Sequence, residues 1–278
     1  MAKLDGMTPP RRPRAYDTSP PTPWPATPPW VVSLRPVGDH AAMRRAAAAH
    51  GLRVLALSPW RIAVHDDPVT RRALRAALSA DIVIATSPAA VRATASLSPL
   101  RAKRGQRFCA VGSATAAALQ RAGIADAISP ERMDSEGLLA LPLLQDVRGR
   151  DIGLLTAPGG RDRIAPALRD RGARVVRADV YAREPVALSP AALARLRAFD
   201  GPLLLPLSSG EALQTVLAAA PDDIAARLRG ACVLAASGRL AALARDAGCA
   251  DVRIAAGPRP AQLLAGADAG AVMTAQSR

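Results

Sequence analysis

Apolar runs of four or five residues, separated by longer stretches with helical spacing, organise this chain. Val31-Val32-Ser33-Leu34 is the first run; Asp39 then offers an N-cap, and the helix-period segment that follows closes at Gly51. Residues 53–57 form a second run, so the opening reads as a βαβ unit whose right-handed crossover makes its strands parallel. Trp60-Arg61-Ile62-Ala63-Val64 is an extended run, and Asp67-Pro68 places an N-cap before a proline at the first helical position. Asp81-Ile82-Val83-Ile84-Ala85 leads into Thr86-Ser87-Pro88, where Ser87 can cap the helix that Pro88 starts. Phe108-Cys109-Ala110-Val111 turns through Gly112-Ser113-Ala114-Thr115 into an Ala-rich helix closed by Gly123. Short strands alternating with helices of this length predict an α/β fold with doubly wound parallel sheets.

The pattern occurs twice. Gly51 and Gly172 end equivalent helices 121 residues apart, Trp60 and Tyr181 follow equivalent strands at the same separation, and residues 82–87 match residues 203–208. Farther on, Gly123 and Gly248, and Leu138-Leu139 and Leu263-Leu264, are 125 apart, which puts one small insertion between the two offsets.

Composition narrows the function. The 278 residues suffice for two self-sufficient cores. Half of the chain is hydrophobic but only 3% is aromatic, so the core is aliphatic and offers little surface on which bases could stack. No nucleic-acid partner is therefore expected. The net charge of +14 has two readings: drift of a solvated surface in a chain rich in Ala, Arg and Pro, or attraction of an acidic ligand.

Cys109, Cys232 and Cys249 form no Cys-x-x-Cys pair and sit in or beside apolar segments, as buried reduced thiols do. His40, His50 and His65 have no second ligand type at metal spacing, so no metal is expected. With no run of 18 apolar residues and no signal-peptide core, the expectation is a soluble cytoplasmic protein without membrane contact. Residues 1–29 are Pro-rich and aperiodic, which predicts a disordered or extended tail.

The polar clusters fall where strands end and helices begin, the place at which open parallel sheets bind ligands. They are Thr86-Ser87, Gly112-Ser113-Ala114-Thr115, Pro158-Gly159-Gly160-Arg161, Ser208-Ser209-Gly210 and Ser237-Gly238-Arg239. Each hydroxyl either caps its own helix or joins backbone N–H groups in holding a carboxylate or phosphate. None spells a dinucleotide or phosphate-loop fingerprint, and no nucleophile elbow is present. Tyr181 reads either as an aromatic plug or as a phenol that gives a proton to a leaving hydroxyl.

Taken together, these segments resemble the uroporphyrinogen-III synthase family from about residue 31 to about residue 266. The carrying stretches are Leu34-Arg35-Pro36, Ile84-Ala85-Thr86-Ser87-Pro88-Ala89-Ala90-Val91, Val111-Gly112-Ser113-Ala114-Thr115-Ala116, Ser135-Glu136-Gly137-Leu138, Gly159-Gly160-Arg161, Arg171-Gly172-Ala173 and Val180-Tyr181.

The resemblance implies a cofactor-independent enzyme that cyclises the polycarboxylate hydroxymethylbilane. Water is lost, an azafulvene cation forms, and ring closure through a spiro intermediate inverts ring D to give uroporphyrinogen III. By the same resemblance Tyr181 is the candidate acid. Arg35, Thr86, Ser87, Gly112, Ser113, Thr115, Ser135, Gly159, Gly160, Arg161, Ser208, Ser209, Ser237, Gly238 and Arg239 are candidate substrate contacts. Where the family commonly starts a helix with Gly-Pro-Thr-Thr, this chain reads Ser237-Gly238-Arg239-Leu240, so Leu240 stands in place of a hydroxyl residue.

The resemblance also changes what the repeat means. It implies a first lobe built from residues 30–60 and 184–266, a second from residues 65–179, linker strands at 61–64 and 180–183, and a tail at 267–278. A monomer with a cleft between the lobes is expected. The rival from another class is a non-catalytic two-lobed binder of a small polyanion.

Overall fold

The structure, a computed structural model, describes residues 27–159, 163–265 and 267. Residues 1–26, Gly160 and Arg161, and residues 268–278 of the expected 267–278 tail lie outside the described residues, while Ala267 is not tail but is buried in a core with Val31 and Leu204.

The strands are β1 (Trp30–Ser33), β2 (Arg53–Ala56), β3 (Trp60–Val64), β4 (Ile82–Ala85), β5 (Arg107–Ala110), β6 (Ala127–Ile128), β7 (Asp151–Thr156), β8 (Arg174–Asp179), β9 (Tyr181–Pro185), β10 (Leu203–Leu207), β11 (Cys232–Ala235) and β12 (Val252–Ile254). Between them run α1 (Ala41–Ala48), α2 (Pro68–Ala77), α3 (Pro88–Leu97), α4 (Ser113–Arg121), α5 (Ser135–Leu139), α6 (Ile164–Asp170), α7 (Pro190–Ala198), α8 (Gly210–Ala219), α9 (Asp222–Arg229), α10 (Gly238–Asp246) and α11 (Pro260–Leu264).

Two five-stranded sheets result, ordered β12-β11-β10-β1-β2 and β6-β5-β4-β7-β8, and every pairing within them is parallel. Both faces of each sheet are buried, which is why the strands read as continuous apolar runs. Along β10, Leu203, Leu205 and Leu207 enter one core while Leu204 enters another. Along β4, Val83 and Ala85 pack on one side, Ile82 and Ile84 on the other. The three cysteines are buried inside these cores, and burial pushes the Cys109 thiol up to about 11 and the Cys232 thiol up to about 12. Such thiols are packing groups rather than nucleophiles.

The repeat is visible in the element boundaries. First residues of β1 and β7, β2 and β8, β3 and β9, and β4 and β10 are all 121 apart; those of β5 and β11, α4 and α10, β6 and β12, and α5 and α11 are 125 apart. The insertion therefore lies before β11, where the second copy carries the additional helix α9.

Each sheet takes two strands from one copy and three from the other, so neither copy is a lobe. The chain crosses between lobes along β3 and β9, which form an antiparallel ladder with Ile62 opposite Arg183, Trp60 opposite Pro185 and Val64 opposite Tyr181. Residues 62 and 183 are themselves 121 apart, so this register is symmetric under the repeat and a pseudo-two-fold axis passes through that pair.

Local capping follows the sequence with one correction. Asp67 accepts the N–H groups of Val69 and Thr70, and Ser87, Ser209 and Ser237 accept those of Ala90, Ala212 and Leu240. Asp39 does not cap α1. His40 occupies the N-cap position without a side-chain bond to the helix, while the Asp39 carboxylate pairs with Arg35 at 2.9 Å and Arg92 at 3.6 Å. The helix itself stops at Ala48, and Gly51 supplies the left-handed turn beyond it with φ of 68°.

Candidate active site

The β10–α8 and β11–α10 connections of the first lobe face the β4–α3 and β6–α5 connections of the second across a cleft lined by three cavities. The first, about 270 Å³, is lined by Thr86, Ser87, Ser135, Gly159, Arg177, Tyr181 and Arg183 among others. A second, about 180 Å³, brings Arg35, Asp39, Trp60, Ser208 and Ser209 of one lobe to Ser87 and Arg92 of the other. A third, about 460 Å³, joins Ser237 and Arg239 to Arg132, Ser135, Glu136 and Arg163.

Ser87, Tyr181 and Arg183 line both of the first two cavities. Tyr181 is 3% exposed, and its hydroxyl lies 3.1 Å from Ser87 Oγ. Ser87 Oγ already accepts the Ala90 N–H at 3.0 Å, so its own O–H is free to donate to the phenol. With Ser87 as the donor, the Tyr181 proton is available to a third group. Thr86 donates to Thr156 at 3.0 Å on the floor of the same cavity, tying the ends of β4 and β7 together.

The wall is basic, and most of its arginines have acidic partners. Arg35 donates both to the Asp39 carbonyl and to its carboxylate. Arg177 pairs with Asp179 at 2.9 Å and donates to the Ala157 carbonyl at 3.0 Å. Arg183 pairs with Glu211 and stacks over the Trp60 ring at 5.3 Å. In the third cavity Glu136 bridges Arg132 and Arg163.

Beneath the Arg35 loop, His40 is buried between Ser33 Oγ and Ser58 Oγ, each 2.9 Å from a ring nitrogen, and so links the ends of β1 and β2. Burial, reinforced by Arg44 and Arg35 against an opposing contribution from Asp39, holds its pKa below the ordinary 6.5. A group with a lowered folded-state pKa stabilises the fold above its unfolded value and loses that contribution as the pH falls toward the folded value. Melting temperature should accordingly decline as the pH drops below 6.5, and His40→Gln should flatten that decline. Parallel pH profiles for the two proteins would show His40 irrelevant.

A sequence model of the family described as Uroporphyrinogen-III synthase HemD matches residues 41–265. The chain belongs to this family. The uroporphyrinogen-III synthase of Salmonella typhimurium is 34% identical over 151 residues, a stretch covering 54% of this chain and 61% of that protein. Among solved structures, a mutant uroporphyrinogen III synthase of Thermus thermophilus superposes with a TM-score of 0.58 at 22% identity, over 88% of this chain and 99% of that one. The Helicobacter pylori uroporphyrinogen-III synthetase gives 0.55 at 15% identity, over 86% and 98%. At these identities the superpositions establish the two-lobed fold.

Of the candidate contacts expected of a uroporphyrinogen-III synthase family member, Arg35, Thr86, Ser87, Ser135, Gly159, Tyr181, Ser208, Ser209, Ser237 and Arg239 line the three cavities. Gly112, Ser113, Thr115 and Gly238 do not. Gly112 occupies the α4 N-cap and Ser113 donates to the Met133 sulfur. Thr115 and Leu240, equivalent in the repeat, are each 4% exposed. Leu240 belongs to the first-lobe core, so its lack of a hydroxyl removes nothing from the cleft wall. Gly160 and Arg161 lie outside the described residues.

Sequence reasoning missed Arg177, Arg183 and Arg92. The first two sit on strands rather than in strand-end loops. Both strands carry further charged residues, Arg174 and Asp179 on β8 and Glu184 on β9, so the sequence pattern did not single these arginines out.

No helix among the described residues is long and apolar enough to cross a membrane, and no group of three or more His, Cys, Asp or Glu side chains there could hold a metal ion.

Proposed function

We propose that the protein converts hydroxymethylbilane into uroporphyrinogen III. The observation that carries this reading, beside family membership, is the Tyr181 phenol at the cleft floor, its oxygen within reach of a serine hydroxyl that can donate to it. Tyr181 assists departure of the substrate hydroxyl as water by giving it a proton. The azafulvene cation left behind needs no further activation, so the remaining work is to hold both ends of the substrate in the arrangement that inverts ring D.

The substrate carboxylates meet Arg35, Arg239 and the N-termini of α3, α8 and α10, whose positive dipole ends suit anions. Thr86, Ser87, Ser135, Ser208, Ser209 and Ser237 add hydroxyls, and Gly159 a backbone N–H, to the same wall. The +14 charge favours encounter with such a polyanion.

Both cleft walls come from one chain, which supports a working monomer, and three free buried cysteines suit a reducing cytoplasm. Residues 30–60 with 184–266 act as one lobe and residues 65–179 as the other, hinged at the β3–β9 ladder.

Purified protein mixed with freshly generated hydroxymethylbilane, followed by separation of type I and type III products, tests the proposal. Type III product should predominate. Type I product alone, at the spontaneous rate, would leave a non-catalytic binder.

A further inference from the structure

We propose that Arg183 is a substrate-carboxylate anchor that orients the chain ends of the substrate, with Glu211 as its intramolecular competitor. The inference rests on the synthase reading and extends it to a residue that the motifs did not mark.

Placement is the first ground. Side chains alternate along a strand, so Arg183 shares a face of β9 with Tyr181. Both line the same two cavities together with Ser87. An anion held by Arg183 therefore lies beside the phenol.

Chemistry is the second. The guanidinium carbon lies over the Trp60 ring, 5.3 Å from its centroid, and the side chain remains 41% exposed. Glu211 takes Nη1, and among the described residues Nε and Nη2 carry no hydrogen bond. A planar fork with an unused edge is the geometry that binds a carboxylate through two parallel bonds. Arg35 and Arg177, by contrast, direct donors to both carboxylate and backbone partners.

Symmetry is the third. The pseudo-two-fold axis passes through the Arg183–Ile62 pair, so the two halves of the cleft present equivalent elements. Such a cleft distinguishes the two ends of a linear tetrapyrrole only where equivalent residues differ. Ile62 stands opposite Arg183 and Trp60 is the repeat equivalent of Tyr181, so anchor and acid lie on the same side of that asymmetry.

The test compares steady-state kinetics and product isomers for wild type, Arg183→Gln, Arg183→Lys and Glu211→Gln. Loss of a charge-assisted fork should raise KM for hydroxymethylbilane about tenfold in Arg183→Gln. Its kcat should be largely retained and its share of type I product increased. Arg183→Lys should fall between, because it restores charge without the fork. Glu211→Gln should lower KM, since the competing carboxylate is gone.

Opposite signs in the two single variants, at unchanged melting temperature, distinguish an anchor from a structural ion pair. Equal KM in wild type and Arg183→Gln, or KM raised alike by both substitutions, overturns the inference. Wild-type protein that forms only type I product overturns the synthase reading instead, and that control is read first.

Discussion

Tyr181→Phe should lower the rate of uroporphyrinogen III formation by about a hundredfold while leaving KM nearly unchanged, the signature of a proton donor used in the transition state rather than in binding. The substitution deletes one oxygen from a residue that is 3% exposed and otherwise packed in the second-lobe core. Its ring contacts survive. Ser87 keeps the Ala90 N–H, so the α3 cap survives as well. The stability cost should therefore stay near 1 kcal/mol, the usual value of one internal hydrogen bond.

Residual type III product is expected because positioning by the rest of the cleft is untouched. Ser87→Ala separates the two roles of its hydroxyl. It removes the α3 cap, at about 1 kcal/mol, and also the hydroxyl that can donate to the phenol. Its rate should lie between those of wild type and Tyr181→Phe, with a lower melting temperature than either. A Tyr181→Phe enzyme with wild-type kcat would show that the leaving hydroxyl takes its proton elsewhere.

Much of the fold could be read from the chain because the signals are local. Strands buried on both faces leave uninterrupted apolar runs, and Asp67, Ser87, Ser209 and Ser237 announce helix starts through a bond that spans only two or three residues. The repeat survived as spacing even where identity had faded. What was hidden depends on contacts between distant segments. Asp39 has the chemistry of a cap, yet Arg35 and, across the cleft, Arg92 claim its carboxylate. Thr115 has the chemistry of a ligand contact, but the turn of α4 buries it. Arg183 shows its position only once the β3–β9 register is known.

Gly153→Ala should be the most destabilising conservative substitution in the β7 region, and the repeat makes it instructive. A Cβ at this position would stand 2.0 Å from the Ala77 carbonyl oxygen and 2.6 Å from its carbon, so the obstacle is the backbone at the end of α2 rather than a side chain that could turn away. Gly153 pairs with Val83 on one side and Val176 on the other, in the interior of the parallel sheet, and the strand cannot retreat without breaking both ladders.

Overpacking of this kind costs about 3 kcal/mol, which corresponds to a fall of roughly 5 °C in melting temperature for a chain of this size. The equivalent position in β1 is Val32, fully buried in the first-lobe core, so the first sheet fills with a side chain the space that the second gives to helix backbone. Gly149→Ala provides the contrast. That glycine has φ of 72° with open space around its Cβ position, so the penalty there is conformational strain of about 1 kcal/mol. Because β7 delivers Thr156 and Gly159 to the cleft, Gly153→Ala should also depress activity as the strand shifts. A melting temperature within a degree or two of wild type would mean that α2 can slide away from the sheet, and that the close approach is a packing convenience rather than a constraint.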